Sequence, residues 1–406
     1  MFPYWQTRIR SPIVTIVELS FQKTVYQVQI MIIVIVTDLY NSTNNGTTVS
    51  ARRLVEALEE RGHEVRLICS GTEGKNRYIL PTYQHGLIPK VASWNGMVFC
   101  KPIDSIIAKA LEGADIVHCY TPFPLEKRVM QMAKERGIPC TTAMHVQAQH
   151  VTYNAGMSDC NLLSSWIYVW IRQYYYQYFD YIHCPSQFMA DELERYHYKA
   201  KKYVISNGIC PIFKPKEVSK IPSLKGKFCI LMVGRLSKEK RQDVLIKACS
   251  LSKYASNIQL ILAGHGPKEE KYHKLSQSLP NPVIFGFYSQ SDLVNLYNMC
   301  DLYVHAADVE SEAISCMEAF ACGLVPVIAN SPISATKQFA LDERSLFKHG
   351  DAQDLADHID YWIEHPEEKK ELSKKYIESS AKYDFDHCVD MMIGMFNDAI
   401  ADKANV

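Results

Sequence analysis

The segment 303–330 constrains the fold of this 406-residue chain more than any other stretch. Its pattern predicts a strand, a polar loop at 308–311, a helix at 312–321 and a second strand at 324–329. Gly323 ends the predicted helix, because glycine readily adopts the positive φ that follows a helix C-terminus. Short, β-branched runs of this kind form the buried strands of parallel sheets. The segment therefore predicts an α/β fold.

Two glutamates, Glu310 and Glu318, stand eight positions apart at the start of this helix. The first backbone amides of a helix have no intrahelical partner and lie at the positive end of its dipole, so they suit a phosphate group. A carboxylate beside a phosphate site is unexpected unless it binds hydroxyl groups. Acidic residues are also common as simple helix caps, and the spacing alone leaves both interpretations open.

The Glu-x7-Glu pattern resembles that of the family 4 glycosyltransferases of the GT-B fold. The resemblance implies that Glu310 faces the donor hexose and that Glu318 accepts hydrogen bonds from the ribose hydroxyls. It implies that the backbone amides of Glu312, Ala313 and Ile314 bind the diphosphate. It also implies a fold of two Rossmann-like domains that face each other across a cleft, with a C-terminal helix that crosses back to the first domain.

The first βαβ unit carries a predicted phosphate or sugar contact. Its pattern is a strand at 32–37, a helix at 47–61 and a strand at 63–69. Gly46 and Thr47 lie at the start of the helix, where glycine allows the backbone to approach a ligand closely. A glycine at this place is also typical of a plain turn.

A histidine follows the predicted strand 139–144. Ligands of open α/β sheets bind beyond the carboxyl ends of the strands, which is where His145 lies. His145 matches the active-site histidine of the family, and the resemblance also implies a donor or acceptor contact for Ser186. We interpret His118 and His150 as structural.

Two cations follow the strand 228–233, which opens the second predicted domain. A departing nucleoside diphosphate gains negative charge, and Arg235 and Lys240 could oppose that charge without a metal ion. Both match the diphosphate-binding pair of the family. Asp384 and Asp386 have the spacing of a metal-binding Asp-x-Asp motif, but their position at a helix start favours capping. We expect no metal or cofactor to be required.

Two glycines and an aromatic residue complete the predicted donor site. Gly234 precedes the cation pair, and Gly264 opens a loop that matches a glycine-proline turn near the nucleotide in the family. The resemblance implies that the backbone near Phe287 pairs with the nucleobase edge.

An aromatic helix is the compositional outlier of the chain, since nine of the sixteen residues from 166 to 181 are aromatic. Trp166, Trp170 and Tyr174 combine apolar rings with polar atoms, as is typical of the membrane interface, and Arg172 could contact anionic head groups. A helix buried against the first domain would have the same composition. Both interpretations are open.

The composition excludes several classes of protein. The formal net charge is zero, which argues against a nucleic-acid-binding protein. The thirteen cysteines form no CxxC pair and are typical of reduced thiols in the cytosol. No apolar run is long enough to span a membrane. Since Met31 leads directly into a strand, we expect translation to start there.

These patterns predict five segments: a leader (1–30), an acceptor-binding domain (31–206), a linker (207–227), a nucleotide-sugar-binding domain (228–383) and a crossover helix (384–406).

The resemblance predicts a retaining enzyme that transfers glucose or galactose from a UDP-sugar to a membrane lipid such as diacylglycerol or a ceramide. We expect it in the cytoplasm, at the anionic inner face of the cell membrane. Transfer to a polysaccharide or cell-surface glycan is the main alternative. A UDP-sugar 2-epimerase and a non-catalytic nucleotide-sugar-binding protein are further ones.

Overall fold

A computed structural model describes residues 30–40, 46–83, 98–154, 156–157 and 161–404 of the chain. The predicted leader lies outside these residues except for its last position. No helix among the described residues is both long and apolar enough to cross a membrane.

The first sheet has seven strands within the described residues, all parallel, in the order β3-β2-β1-β4-β5-β6-β7. The strands are β1 (Ile32–Leu39), β2 (Glu64–Ser70), β3 (Arg77–Ile79), β4 (Ile116–Cys119), β5 (Cys140–Ala143), β6 (Tyr181–Cys184) and β7 (Lys201–Val204). The helices around them are α1 (Gly46–Glu60), α2 (Asp104–Ala110), α3 (Pro124–Glu135), α4 (Ala148–Asn154), α5 (Asn161–Tyr174) and α6 (Gln187–Arg195).

The second sheet has six parallel strands within the described residues, in the order β10-β9-β8-β11-β12-β13. They are β8 (Phe228–Val233), β9 (Ile258–Ala263), β10 (Ile284–Gly286), β11 (Leu302–His305), β12 (Pro326–Ala329) and β13 (Leu346–Phe347). Its helices are α7 (Gln242–Leu251), α8 (Glu269–Ser276), α9 (Gln290–Met299), α10 (Ile314–Ala321), α11 (Ala352–Glu364) and α12 (Pro366–Ser380). Short 3-10 helices cover Tyr176–Tyr178, Pro222–Leu224, Ala335–Phe339, Glu343–Ser345 and Ala381–Tyr383.

Both sheets have the topology of a Rossmann-like domain. In each sheet the strand that comes first in the chain lies in the middle, and the strand order reverses beside it, between β1 and β4 and between β8 and β11. Ligands of such sheets bind beyond the carboxyl ends of the strands at this reversal. The topology confirms the predicted α/β fold of two Rossmann-like domains and selects two facing edges for a ligand.

The last helix, α13 (Phe385–Ala404), returns to the first sheet, as predicted. One face of it is buried against apolar residues of β1 and α1, and this face includes Val389, Met392 and Phe396. At its start, the Asp384 carboxylate accepts a hydrogen bond from the His387 amide at 3.0 Å, so Asp384 caps the helix. The residue bounds predicted for the domains remain predictions.

The chain crosses between the two sheets at two adjacent places. The Ile209 amide donates to the Tyr383 carbonyl at 2.7 Å, and Ile209 also forms an isolated bridge with Asp384. Gly208 has a φ of +76° and packs so closely that a Cβ atom there would lie 2.8 Å from the Cα atom of Phe385. Only glycine fits this crossing, because both the conformation and the space exclude a side chain.

Candidate active site

The loop between β11 and α10 carries the predicted donor-binding carboxylates. The sequence pattern predicted that α10 begins at Glu312, but in the structure it begins at Ile314. The reason is Ala313, which has a φ of +74° and so cannot belong to a right-handed helix. The loop thus continues for two more residues, and the free amides of the first turn begin at Ile314.

Glu310 is a buried carboxylate held by two groups of the second domain. It accepts hydrogen bonds from the Lys240 ammonium and from Nε2 of His305, the latter at 2.9 Å. Burial alone would raise the pKa of Glu310, but the charge of Lys240 and the bond from His305 hold that pKa well below its usual range. Glu310 is therefore an ionised acceptor, suited to hydroxyl groups of a sugar.

His305 was missed by the sequence analysis. It lies at the carboxyl end of β11, where the rule that selected His145 could have selected it too. Burial lowers the pKa of His305, so this ring is neutral near pH 7 and its position on Glu310 is that of an orienting group.

Glu318 forms an ion pair with an arginine of the first domain. Its Oε1 lies 3.2 Å from Nη2 of Arg53, which is on α1, and its Oε2 lies 3.4 Å from the Tyr297 hydroxyl. Burial raises the pKa of Glu318, and the neighbouring guanidinium opposes that rise. The pair connects the two domains directly.

The side chain of Glu312 turns away from the predicted donor site and binds the first crossing between the domains. It accepts hydrogen bonds from the Asn207 amide at 3.1 Å, from the Asn207 side chain and from the Ser206 hydroxyl. Burial raises the pKa of Glu312 from 4.5 to about 7, although these donors act in the opposite direction. The predicted role concerned only its backbone amide, so this contact is an additional one.

His145 lies two residues beyond β5, at the edge of the first sheet that the topology selects. Its ring stacks on Tyr120, with the ring centroids 5.2 Å apart, and meets His183 edge-on at 5.5 Å. Burial, with a smaller effect from His183, lowers the pKa of His145 to about 3. Its buried Nε2 has no hydrogen-bond partner within the described part of the chain. His145 is therefore a neutral imidazole with one buried nitrogen that the described residues leave unpartnered.

The two histidines interpreted as structural differ from each other. His118 is buried, and its Nδ1 lies 2.9 Å from the Thr141 hydroxyl oxygen, which fits a structural role. His150 instead lies near enough to Glu310 and Lys240 for their charges to affect its pKa, which burial lowers overall. The sequence interpretation of His150 therefore missed its proximity to the site.

The cation pair follows β8 on a loop that two glycines shape. A Cβ atom on Gly264 would lie 2.2 Å from the carbonyl oxygen of Gly234, so this contact between neighbouring loops requires glycine. The loop turns Lys240 onto Glu310 and leaves Arg235 exposed. Phe287, just beyond β10, is exposed and stacks on His265 with the ring centroids 5.5 Å apart.

The remaining donor-site residues lie on the first domain. The Ser186 hydroxyl donates to the Ser311 carbonyl at 2.6 Å, a contact across the domains, and accepts the Met189 amide as the N-cap of α6. Gly46 begins α1, as predicted, and a Cβ atom there would have no atom of the described residues within 4 Å; Thr47 follows it, half-buried.

A further contact across the domains ends on Asp308. This buried carboxylate accepts hydrogen bonds from the Tyr153 hydroxyl at 2.5 Å and from Nη1 of Arg241 at 2.6 Å. Tyr153 belongs to α4 of the first domain, and no local pattern in the sequence identifies its partner.

Of the predicted membrane residues, Trp166 and Trp170 are exposed on α5, and Tyr174 is half-buried beside them. Arg172 is different: its Nη1 donates to the Tyr196 carbonyl at 2.5 Å. This bond holds the half-buried guanidinium at the end of α6, and the predicted contact of Arg172 with lipid head groups remains a prediction.

Comparison with known proteins identifies the class. The model of the family "Glycosyltransferase Family 4" matches residues 44–211, and that of "Glycosyl transferases group 1" matches residues 213–380. An alpha-monoglucosyldiacylglycerol synthase from Streptococcus pneumoniae is 30% identical over 319 residues, which cover 72% of this chain and 70% of that protein. The fold and the site thus define a GT-B glycosyltransferase. The chain belongs to the family 4 glycosyltransferases.

Other relatives use a different sugar or share only the fold. A GDP-mannose-dependent alpha-mannosyltransferase from Corynebacterium glutamicum is 27% identical, over 75% of this chain and 74% of that protein. The structure of Anabaena HepE in complex with UDP and glucose covers 91% of this chain and 100% of that chain, with a TM-score of 0.67 and 16% identity. The catalytic domain of cholesterol-alpha-glucosyltransferase from Helicobacter pylori is 51% identical, over 38% of this chain and 99% of that chain. Its TM-score is 0.36.

The ionisation of Glu312 predicts a dependence of stability on pH. Because the folded state raises its pKa from 4.5 to about 7, the folded protein retains a proton that the unfolded chain loses. The contribution of this group to stability is therefore fully present below pH 4.5 and is lost as the pH rises through 7. Glu312→Gln cannot titrate, so we expect wild type to lose about 3 kcal/mol relative to this variant between pH 5 and 8.

Urea unfolding of both proteins at each pH measures this difference, and the comparison cancels the titration of all other groups. A free-energy difference that stays constant from pH 5 to 8 would show that Glu312 has an ordinary pKa.

Proposed function

We propose that this glycosyltransferase transfers a hexose, glucose or galactose, from a UDP-sugar to a hydroxyl group of a membrane lipid, with retention of the anomeric configuration. The observation that carries the proposal is the buried pair of Glu310 and Lys240 at the N-terminal end of α10. It combines an ionised acceptor for sugar hydroxyls with a cation for a diphosphate. An enzyme that transfers an acyl or phosphoryl group has no sugar hydroxyls to bind and would not need the carboxylate there.

The arrangement supports a division of roles between the two domains. Lys240 and Arg235 oppose the charge that develops on the departing diphosphate, and the first-turn amides of α10 do the same. Glu310 orients the hexose through its hydroxyls, while His305 keeps the carboxylate in place. His145 provides a neutral nitrogen from the opposite domain. A phosphate oxygen of the departing group accepts the proton of the acceptor hydroxyl, which gives substitution on the same face of the sugar.

The names of the relatives support the acceptor and the stereochemistry. The relative that is 30% identical is a synthase of a glucosylated diacylglycerol, and its product is designated alpha. UDP-glucose is itself an α-glycoside, so an α-glucoside made from it requires retention. The mannosyltransferases favour GDP-mannose as a second candidate donor. Diacylglycerol and a ceramide are the proposed acceptors, and a sterol, which also presents a hydroxyl group at the membrane surface, serves as a comparison.

The outer face of α5 supports contact with a membrane. Leu162, Trp166, Trp170 and Tyr174 follow each other at intervals of four residues, and the first three are 85%, 59% and 47% exposed. The rings of Trp166 and Trp170 stack with centroids 6.2 Å apart, and those of Trp170 and Tyr174 at 5.2 Å. Nζ of Lys127 lies 3.8 Å from the Tyr174 ring and supplies the positive charge.

The opposite face of the same helix is core. Tyr168 and Ile171, together with Tyr175 directly after the helix, are buried in the core of the first domain. The two interpretations of this segment therefore apply to different faces of one helix. An aromatic stripe with an adjacent lysine fits the interface of an anionic membrane, where rings lie among the head groups. We infer that the enzyme works at the inner face of the cell membrane.

The test of the proposed function is release of nucleoside diphosphate from UDP-glucose, UDP-galactose and GDP-mannose, each with and without vesicles. The vesicles contain diacylglycerol, a ceramide or a sterol in an anionic phospholipid background. Release that requires one lipid, together with a glycolipid of the expected mass, supports the proposal. Release without any lipid would indicate hydrolysis, epimerisation or a soluble acceptor, and would contradict it.

Removing the cation of the site provides a more specific prediction. We expect Lys240→Ala to lose about 3 kcal/mol of transition-state stabilisation, seen as a lower kcat/KM, because a preorganised charge at the leaving group is lost. Steady-state kinetics with the best donor measure the effect. Lys247→Ala, which removes an exposed lysine from α7, is the matched control and should not change kcat/KM. Unchanged turnover in the Lys240 variant would contradict the assigned role.

The aromatic stripe predicts membrane binding. Trp166→Ala and Trp170→Ala should each lower the affinity for anionic vesicles about tenfold, because each removes a ring that is buried on binding. Co-sedimentation at low salt measures the bound fraction. Ile221→Ala is the control, since Ile221 is also an exposed apolar residue but lies in the linker. If all three variants sediment like wild type, the stripe is not the contact surface.

A further inference from the structure

Arg53 is the residue of the first domain that reaches the predicted ribose carboxylate. Its side chain is 16% exposed and that of Glu318 is 7% exposed, so the ion pair of 3.2 Å between them is largely shielded from water. Only Nη2 of Arg53 contacts the carboxylate. Its Nη1 is buried and has no hydrogen-bond partner among the described residues.

An unused guanidinium nitrogen at this place is unexpected. Arginine usually binds a carboxylate through two parallel hydrogen bonds, which satisfy both oxygens and fix the planar group. Here one Glu318 oxygen faces Arg53 and the other faces Tyr297, so the second donor of the guanidinium is left over. A buried donor without an acceptor costs free energy that a bound ligand could recover.

A ribose diol has the chemistry that this arrangement lacks. Each hydroxyl group can donate its hydrogen to a carboxylate and accept a hydrogen from a cation at the same time. Glu318 supplies the acceptor and Nη1 of Arg53 supplies the donor, and the two side chains come from opposite domains. A diol bound between them would satisfy both.

We propose that Arg53 is a further donor-binding residue, which binds the ribose hydroxyls of the nucleotide sugar together with Glu318. The inference rests on the proposed use of a nucleoside-diphosphate sugar, but not on the identity of its base or its hexose. Because α1 carries Arg53 and α10 carries Glu318, the ribose site is complete only when the two domains are in contact. Binding of the nucleotide is thereby coupled to closure of the cleft.

The test measures the dissociation constants of UDP and of 2′,3′-dideoxy-UDP, which lacks both ribose hydroxyls, by calorimetry. GDP and its dideoxy analogue are measured in parallel. Wild type should prefer the ribose form. Arg53→Ala should bind it about tenfold more weakly and should lose most of the preference over the dideoxy form. Arg53→Lys keeps the charge beside Glu318 but not the planar fork, so it should remain folded and lose part of the preference.

Arg61→Ala is the control, one residue beyond the end of the same helix. Arg61 pairs with Asp386 and Asp390 of α13 and does not contact Glu318, so its removal should leave the ratio of the two dissociation constants unchanged.

Three other outcomes would contradict the role of Arg53 or the proposed function. If Arg53→Ala binds UDP more tightly than wild type, Arg53 competes with the nucleotide, and the inference is wrong. If the variants lose thermal stability but keep the preference for ribose, Arg53 is structural, and the inference is again wrong. If wild type binds neither UDP nor GDP, the proposed function fails, and the inference fails with it.

Discussion

The burial of carboxylates in and beside one loop determines much of this structure. Asp308, Glu310, Glu312 and Glu318 lie within eleven residues, and all four are buried. A buried carboxylate without partners is strongly unfavourable, so each needs cations or hydrogen-bond donors from elsewhere. The partners are Tyr153 and Arg241 for Asp308, Lys240 and His305 for Glu310, Ser206 and Asn207 for Glu312, and Arg53 and Tyr297 for Glu318. Three of the four carboxylates thus bind the first domain or its connection to the second.

The sequence predicted the architecture because that depends on local patterns. Buried β-branched runs that alternate with amphipathic helices specify a parallel sheet, and chain order then places the carboxyl ends of the strands at one edge. Glu310 and Lys240 were predicted through their motif, and the structure brings them together. The start of α10 was misplaced, because nothing in the local pattern indicates the left-handed conformation of Ala313.

The rest of the site depends on contacts between distant positions. Glu312 and Asn207 are separated by 105 residues, and Arg53 and Glu318 by 265. A charged residue in the middle of a helix is usually solvated, so no feature of Arg53 in the sequence distinguishes it from its neighbours. The bond from Arg172 to the Tyr196 carbonyl could not be predicted for the same reason: helical spacing defines a face but does not say which neighbour that face meets.

The double crossing between the domains limits how they can move. The two connecting segments, at 206–209 and 383–385, lie side by side and are joined by a backbone hydrogen bond, so neither can stretch or slide independently of the other. Two adjacent attachment points leave rotation about one short axis as the easiest relative motion of the domains. Points close to this axis, such as Glu312, are displaced little by that rotation, whereas groups far from it sweep long arcs. The amplitude available to any residue of the cleft is therefore set by its distance from the axis that passes through this crossing.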